Sequence, residues 1–397
     1  MNKKIIILLL VFSLSALMGG CWSRSEIVEE AIVLGTGVDW TEDGQIRLTV
    51  QIASPGAFIA GGEAGVGGTQ APAWVVWAEG KTIQDAERYL AMKVPREIYW
   101  GHSVILVIGE EMARQGTSLV TNFFTRFRQP REIMWFMVAR GEAKKVLEAQ
   151  PWLSHTSAQA VGFLTRMETG FSVHLWEYGA MLSNKGVQPV VTAVAVKEVA
   201  EARGPGAEGK APAQQGVELS GVGVFKEDRL IGWLDPNETR GLLWLKGKAQ
   251  KGAITVPSPG EPEREVSIEI RRSSTKIEPE YDGENLCFNV KIYVEGDMVE
   301  QQSRVNLATP EHSNALESAM SEEIKNRCII TLEKAQWEYG VDIFGFGEAF
   351  HRKYKKDWLK LQNNWDEEFS RAGVNITVEA HVREIGLLTA PASVQAE

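Results

Sequence analysis

The sequence predicts an α/β (α+β) protein of three mixed strand-helix domains, the last built on an antiparallel sheet covered by long helices. Three observations carry that expectation. Strand-like and helix-like stretches alternate from Ala31 to about Val196, which favours α/β modules over an all-β sandwich. Residues 204–216, GPGAEGKAPAQQG, combine glycine, proline and charge without an apolar period and read as a linker. Beyond them lie several long strands with period-2 alternation and two helical regions. The length of 397 residues suits two or three domains, and 44% hydrophobic with 24% charged residues is ordinary globular composition.

At the N-terminus, Lys3 and Lys4 precede the apolar run Ile5 to Leu17. That run falls short of the roughly 20 residues a spanning helix needs, and it fits the hydrophobic region of a secretory signal. It ends at Met18-Gly19-Gly20-Cys21, which looks like a bacterial lipobox with Met18 in the usual leucine position. A diacylglyceryl group on Cys21 would supply two acyl chains, the number stable anchoring takes. The expected division is a signal peptide at 1–20, α/β domains at 21–112 and 113–203, the linker at 204–216, a C-terminal domain at 217–390 and a tail at 391–397.

Ala31 to Asp39 and Gln45 to Ile52 read as strands joined by Asp43-Gly44, a hairpin signal. Ser54 to Ala73 is a Gly/Ala/Pro loop, and Trp74 to Ala78 returns to strand. Thr82 to Met92 has helical spacing through Ile83, Ala86 and Leu90. Ser103 to Ile108 is a buried strand, followed by helix over Glu110 to Arg114 and Ser118 to Phe127, strand over Glu132 to Val138 and helix over Glu142 to Glu148. Past the linker, Leu219 to Phe225 and Leu230 to Trp233 are strands. Asp235-Pro236-Asn237-Glu238 then starts a helix with a capping box and proline at its first position. Strands are expected at Glu265 to Arg272, Ser274 to Glu278 and Asn285 to Glu295. Thr309-Pro310 opens a helix running to about Tyr339, a second helical region covers Ile343 to Phe369, and Val374 to Glu384 closes the domain as a strand.

The formal charge is −10, and removal of residues 1–20 takes away two lysines and no acids, giving −12. So acidic a body argues against nucleic acid and against a basic lipid-binding surface. Cys287 lies opposite the strand face Leu286, Phe288, Val290, Ile292 and Val294, whereas Cys328 shares a helical stripe with Leu316, Met320, Ile324 and Leu332. Two free thiols are expected, not a bridge.

The sequence carries no recognisable catalytic or metal-binding motif. The six histidines show no HExxH and no paired-cysteine spacing. Gly35-Thr36-Gly37 lacks a third glycine at the dinucleotide spacing, and the Gly61 to Gly68 run lacks the GK[ST] end of a nucleotide loop. No GxSxG elbow is present, and adjacent carboxylates such as Glu367-Glu368 read as solvated surface. The expectation is a non-enzymatic protein without cofactor or metal. Tryptophan is abundant, thirteen residues, mostly expected in core with a few marking a partner surface.

Four blocks stand out in order: GCWSRSEIVEEAIVLGTGVDW, GHSVILVIGEEMARQG, GVGVFKEDRLIGWLDPNETRGLLWLKGK and DIFGFGEAFHRKYKKDWLKLQNNWDEEF. Together they resemble the Ger(x)C family of spore-germination lipoproteins, the C subunits of nutrient germinant receptors, over Cys21 to about Leu388. Where the family more often has Asp-Arg-Arg-Glu after the tryptophan, this chain has Ser23-Arg24-Ser25-Glu26. The resemblance implies a lipoprotein on the outer face of the inner spore membrane, assembled with two integral membrane subunits, one similar to amino-acid permeases. It also implies three α/β domains and no catalytic residue. An extracytoplasmic solute-binding lipoprotein presenting a nutrient is the alternative, which the strand-rich C-terminal region fits poorly.

The residues of interest are then Cys21 for lipidation and His102, Asp342, Gly345, Gly347, Trp358 and Trp365 as partner or structural candidates. Asp342 can cap a helix whose apolar face holds Phe344, Ala349 and Phe350. Gly345 and Gly347 each cost helix stability by roughly 1 kcal/mol relative to alanine, which calls for close backbone packing or a kink. Trp358 and Trp365 lie seven apart on one helical face with Leu361, a core stripe. His102, before an apolar strand, is expected to hydrogen-bond at the strand edge.

Overall fold

The computed structural model describes residues 29–54, 72–127, 129–151, 154–168, 170–199 and 214–384, with Lys3 and Ile5. The lipobox with Cys21, the Gly61 to Gly68 run, most of the 204–216 stretch and the C-terminal tail lie outside them.

Two mixed sheets with interspersed helices form the described chain. The first has nine strands: β1 (Glu30–Trp40), β2 (Ile46–Ala53), β3 (Ala73–Gly80), β4 (Glu97–Tyr99), β5 (Ile105–Ile108), β6 (Trp135–Ala139), β7 (Val190–Val199), β8 (Gln214–Lys226) and β9 (Arg229–Leu234). Their order is β3-β2-β1-β5-β6-β7-β8-β9, with β4 paired to β1. β1, β5, β6 and β7 run parallel, so they start at one end of the sheet, and β2, β3, β8 and β9 join as antiparallel flanks. The expected hairpin is β1–β2, with Gly44 at φ +72.

Helices cover both faces. They are α1 (Ile83–Ala91), α2 (Glu110–Gln115), α3 (Ser118–Arg126), α4 (Ala143–Glu148), α5 (Ser157–Arg166) and α6 (Leu175–Leu182). Alternation along β5 explains this. Ile105 and Val107 pack with Ala143, Leu147, Ala158 and Val161 on one side, Leu106 and Ile108 with Met112, Val120 and Phe124 on the other. Gly35 and Gly37 of β1 let the first side close, because a Cβ at Gly35 would lie 2.9 Å from the Ala158 Cβ.

After α7 (Pro236–Leu245) comes a four-stranded sheet, β10 (Ala253–Ser258), β11 (Glu261–Tyr281), β12 (Leu286–Gln301) and β13 (Gly373–Glu384). Between β12 and β13 lie α8 (Pro310–Glu333), which continues as a π-helical turn over Lys334–Tyr339, then α9 (Phe346–Lys353), α10 (Lys355–Leu361) and α11 (Trp365–Arg371). The capping box forms as read. Asp235 accepts from the Glu238 N–H and Glu238 accepts from the Asp235 N–H. Thr309 likewise caps α8. Leu316, Met320, Ile324 and Cys328 of α8 lie buried in one core with Phe288, Val290, Ile292 and Val294 of β12. Cys287 and Cys328 are both free thiols, the first half-buried and the second buried.

Several expectations are corrected. The C-terminal sheet is mixed, because β13 pairs parallel to β12. The helical crossover between them returns the chain to the end where β12 starts, which forces the parallel sense. Only α8 is long. The region Ile343 to Phe369 breaks into α9, α10 and α11, interrupted at Tyr354 (φ −117, ψ 59) and at Asn364 (φ −119, ψ 25), whose dihedrals do not propagate a helix. The two strands expected between Glu265 and Glu278 are one, because a register shift between Ile270 and Arg272 absorbs the break in alternation. β10 was not foreseen. Hydrogen bonding in the first sheet continues across residue 112. That sheet also takes in Gln214–Leu234, because β8 turns back antiparallel on β7 from within the stretch read as linker.

Candidate functional site

The two sheets meet where a loop before β7 is clamped by the block α9–α11. Gly340 (φ +63) ends the π-helical turn, and the chain enters Val341 and Asp342, both fully buried. Asp342 does not sit at the helix cap. Gly345 (φ +92) holds that position, a conformation that costs a residue bearing a Cβ about 1–2 kcal/mol. Asp342 instead gathers the N–H groups ahead of α9. Its carboxylate accepts from Phe344 N at 3.0 Å, Gly345 N at 2.9 Å, Gly347 N at 2.7 Å and the Trp365 indole Nε1 at 3.0 Å. Burial pushes this carboxyl above its ordinary range, and the four N–H donors pull it back.

The loop from α6 to β7 meets that turn face on. A Cβ at Gly347 would lie 2.6 Å from the Gly186 Cα and 2.7 Å from the Gly186 carbonyl oxygen, so the two backbones touch. Gln188 N donates to the Asp342 carbonyl at 2.6 Å, Asn184 Nδ2 donates to Glu348 Oε1, and Lys185 Nζ donates to Asn363 Oδ1 at 2.9 Å. Gln188 Oε1 also accepts from Glu227 N at 2.8 Å, tying the loop to the β8–β9 turn. From the other side, Tyr339 OH donates to the Trp233 carbonyl at 2.8 Å. Lys246, just past α7, donates its Nζ to the Ile343 carbonyl at 2.9 Å. Burial pushes the Lys246 ammonium down to about 8, with Lys248 adding to the shift and Asp342 and Glu348 opposing it.

Behind the clamp the aromatic rings form one cluster, with Trp358 edge-on to Trp365. Trp358 and Trp365 are 5.2 Å apart, Phe350 lies 5.6 Å from Trp365, and His351 stacks on Trp358 at 5.3 Å. The tryptophans meet although α10 and α11 are separate helices. Beside the clamp is an open polar cleft of about 720 Å³ whose rims carry Asn184, Lys185, Gln188 and Lys226 opposite Asn363 and Asp366. Lys226 and Asp366 reach across it at 3.4 Å.

Asp342, Gly345, Gly347, Trp358 and Trp365 are thus brought together. His102 is not. It is exposed at the starting end of β5, and among the described residues its ring meets only Tyr99, at 5.5 Å, in place of the hydrogen bond expected. Cys21 lies outside the described residues. Sequence reasoning missed Asn184, Gly186, Gln188 and Lys246. The Asn-Lys-Gly run at 184–186 signals a turn, but nothing local says what that turn touches. Among the described residues no group of His, Cys, Asp and Glu could hold a metal ion, and no helix is long and apolar enough to cross a membrane.

Such a site joins two parts of one α/β chain through backbone contact. Comparison with known proteins gives the family. Residues 23–196 match the family described as spore germination protein N-terminal domain, and residues 220–386 match spore germination B3/GerAC like, C-terminal. The chain belongs to this GerAC family of spore germination proteins. It is 26% identical to spore germination protein KC of Bacillus subtilis over 405 residues, covering 98% of each chain. To spore germination protein B3 of the same organism it is 25% identical over 393 residues, covering 94% of this chain and 96% of that protein. The crystal structure of the GerBC protein shares the fold, with a TM-score of 0.56, 20% identity and coverage of 88% of this chain and 96% of that one. Family and site together are consistent with a non-enzymatic protein.

Proposed function

We propose that this protein is the lipid-anchored, non-enzymatic subunit of a nutrient germinant receptor. Cys21 carries the diacylglyceryl anchor at the outer face of the inner spore membrane, where the body assembles with two integral membrane subunits, one of them permease-like. The observation that carries this reading is the ordered match of both germination families across nearly the whole chain. The body's contribution is protein-protein surface, and the anchor raises its local concentration near its partners. Replacement Cys21→Ala tests the reading. The protein should leave the membrane fraction, and germination with several nutrients should slow. Unchanged germination in a strain lacking the whole protein would overturn it.

The polar cleft supports a second reading, presentation of a small solute, since ligands favour concave sites between structural units. Calorimetry with amino acids and sugars decides it: no heat with any of them removes this reading and leaves the first standing.

A further inference from the structure

Charge is spread unevenly over a chain whose net charge past residue 20 is −12. The fourteen residues from His351 to Asn364 hold five cations and one carboxylate. Arg352, Lys353, Lys355, Lys356 and Lys360 are all exposed, on α9 and α10. Asp357, the carboxylate, binds Lys360 at 2.9 Å, and Lys353 Nζ donates to the Pro279 carbonyl at 2.8 Å. The side chains of Arg352, Lys355 and Lys356 have no ion pair or hydrogen bond among the described residues.

The two sides of α10 differ. Trp358 is buried and Leu361 packs on the core, whereas Leu359 is 67% exposed. Lys355 and Lys356 lie four and three residues before Leu359, and Lys360 follows it, so the leucine stands amid three lysines. That is the pattern of a helix lying in a lipid headgroup layer, where leucine leaves water and lysine stems carry their ammonium groups to phosphate. Neighbouring acids do not break it. On β11, Tyr281 N donates to the Tyr354 hydroxyl at 3.3 Å, and alternation turns Glu278 and Glu280 to the opposite face of the sheet. There Lys276 pairs with Glu278. Asp282 and Glu284 at the β11–β12 turn and Glu367 and Glu368 on α11 belong to adjoining elements, and Asp357 is the sole acid of α10.

The parallel strands put this block at the end of the first sheet that receives the tether. Gly35, Ile105 and Trp135 stand level across β1, β5 and β6, and Met137 beside Thr192 brings Val190 level with them. The 184–188 loop precedes Val190 as residues 30–34 precede Gly35. That loop holds the block through the Gly186–Gly347 contact and the Lys185–Asn363 bond. β1 and β7 are three strand spacings apart, about 14 Å. Seven residues, 22 to 28, separate Cys21 from Glu29, and fully extended they reach about 25 Å. Acyl chains on Cys21 therefore keep this end, and α10 with it, close to a bilayer. Nearer the tether the charge is balanced, since exposed Arg96 and Arg131 each stand beside an exposed glutamate, Glu97 and Glu132. The surplus of cations comes from α9 and α10.

We propose that the exposed face of α10, Leu359 among Lys355, Lys356 and Lys360 with Arg352 beside them, docks on an anionic phospholipid bilayer. The orientation rests on the acylation of Cys21, whereas the surface itself is a property of the described residues. An acidic body is repelled by such a bilayer as a whole, which confines contact to the place where its cations gather.

The test uses the full-length protein from a lipoprotein-processing host, reconstituted into vesicles of phosphatidylcholine alone or mixed with phosphatidylglycerol. An acetylating reagent labels exposed lysines, and mass spectrometry reads the rate at each. Lys355, Lys356 and Lys360 should label several-fold more slowly on the phosphatidylglycerol vesicles in low salt, and high salt should remove the difference. Lys81, exposed past the finishing end of β3, should label equally on both. Lys355→Gln with Lys356→Gln should return Lys360 to its rate on phosphatidylcholine. Equal rates at the α10 lysines on the two vesicles overturn the proposal, as does equal slowing at Lys81. Slowing that needs co-reconstituted integral subunits in place of phosphatidylglycerol also overturns it and assigns the face to a protein partner. The N-terminal peptide reports Cys21 separately. If Cys21 is unmodified, the apolar residues 5–17 still hold the chain on the vesicles, so the lysine rates decide the surface while the anchor falls.

Discussion

Asp342 organises the junction because a buried carboxylate must find donors: the turn into α9 supplies three backbone N–H groups and Trp365 of α11 a fourth. An asparagine there would aim its own N–H₂ at some of the same donors. Asp342→Asn is expected to lower stability by about 3 kcal/mol, read as a shifted urea midpoint. Lys246 makes a pH prediction with a definite sign. Its folded pKa, about 8, lies below the ordinary 10.5. Between those values the unfolded chain binds more protons at this site than the folded one, so this group makes stability rise with pH. Below pH 8 both forms are protonated and the slope vanishes, leaving the penalty of the buried charge in full. The stability of wild type minus that of Lys246→Met should therefore climb across this window, by at most about 1.4 kcal/mol per pH unit. A flat difference would show that Lys246 is not desolvated as described.

Capping and close approach decide the elements. The α7 start was legible because Asp235, Pro236 and Glu238 form a purely local pattern, and Asp235→Ala should cost about 1 kcal/mol in thermal or urea unfolding. The long α8 was legible for the same reason, from Thr309 and Pro310 with the buried stripe Leu316, Met320, Ile324 and Cys328. Its π-helical end was not, because six residues of altered winding leave little trace in a period read over a long window. Nor was the break of Ile343–Phe369 into three helices. Trp358 and Trp365 satisfy helical spacing, yet their rings come together across a turn. At Gly241 of α7 the crowding comes from elsewhere in the chain, since a Cβ there would run into the Thr331 hydroxyl and the Arg327 carbonyl of α8.

For the whole molecule, the Gly186–Gly347 contact ties two sheets that share one continuous core. Gly347→Ala is expected to destabilise by about 3 kcal/mol, since backbone on both sides leaves little room to yield. Hydrogen exchange should show the β10–β13 sheet losing protection relative to the β1–β9 sheet as the clamp loosens. Equal loss in both would mean that the sheets unfold as one unit regardless of the clamp. Normal melting of Gly347→Ala would show that the Gly186–Gly347 contact contributes little to stability.

The sequence by itself determined what depends on near neighbours: alternation along β12, the β1–β2 hairpin, the caps of α7 and α8 and the separation of Cys287 from Cys328. It also singled out Asp342 as a helix cap and Gly345 and Gly347 by their cost to helix stability, although Gly345 takes the cap position in the structure. Only the tertiary structure decided which backbone Gly347 touches, that β13 lies parallel to β12, and that Gln214–Leu234 completes the first sheet. Residues such as Gly186 and Gly347 are far apart in the chain, and their local patterns carry no mark of one another. Their pairing is fixed by how whole sheets and helices bury their apolar faces.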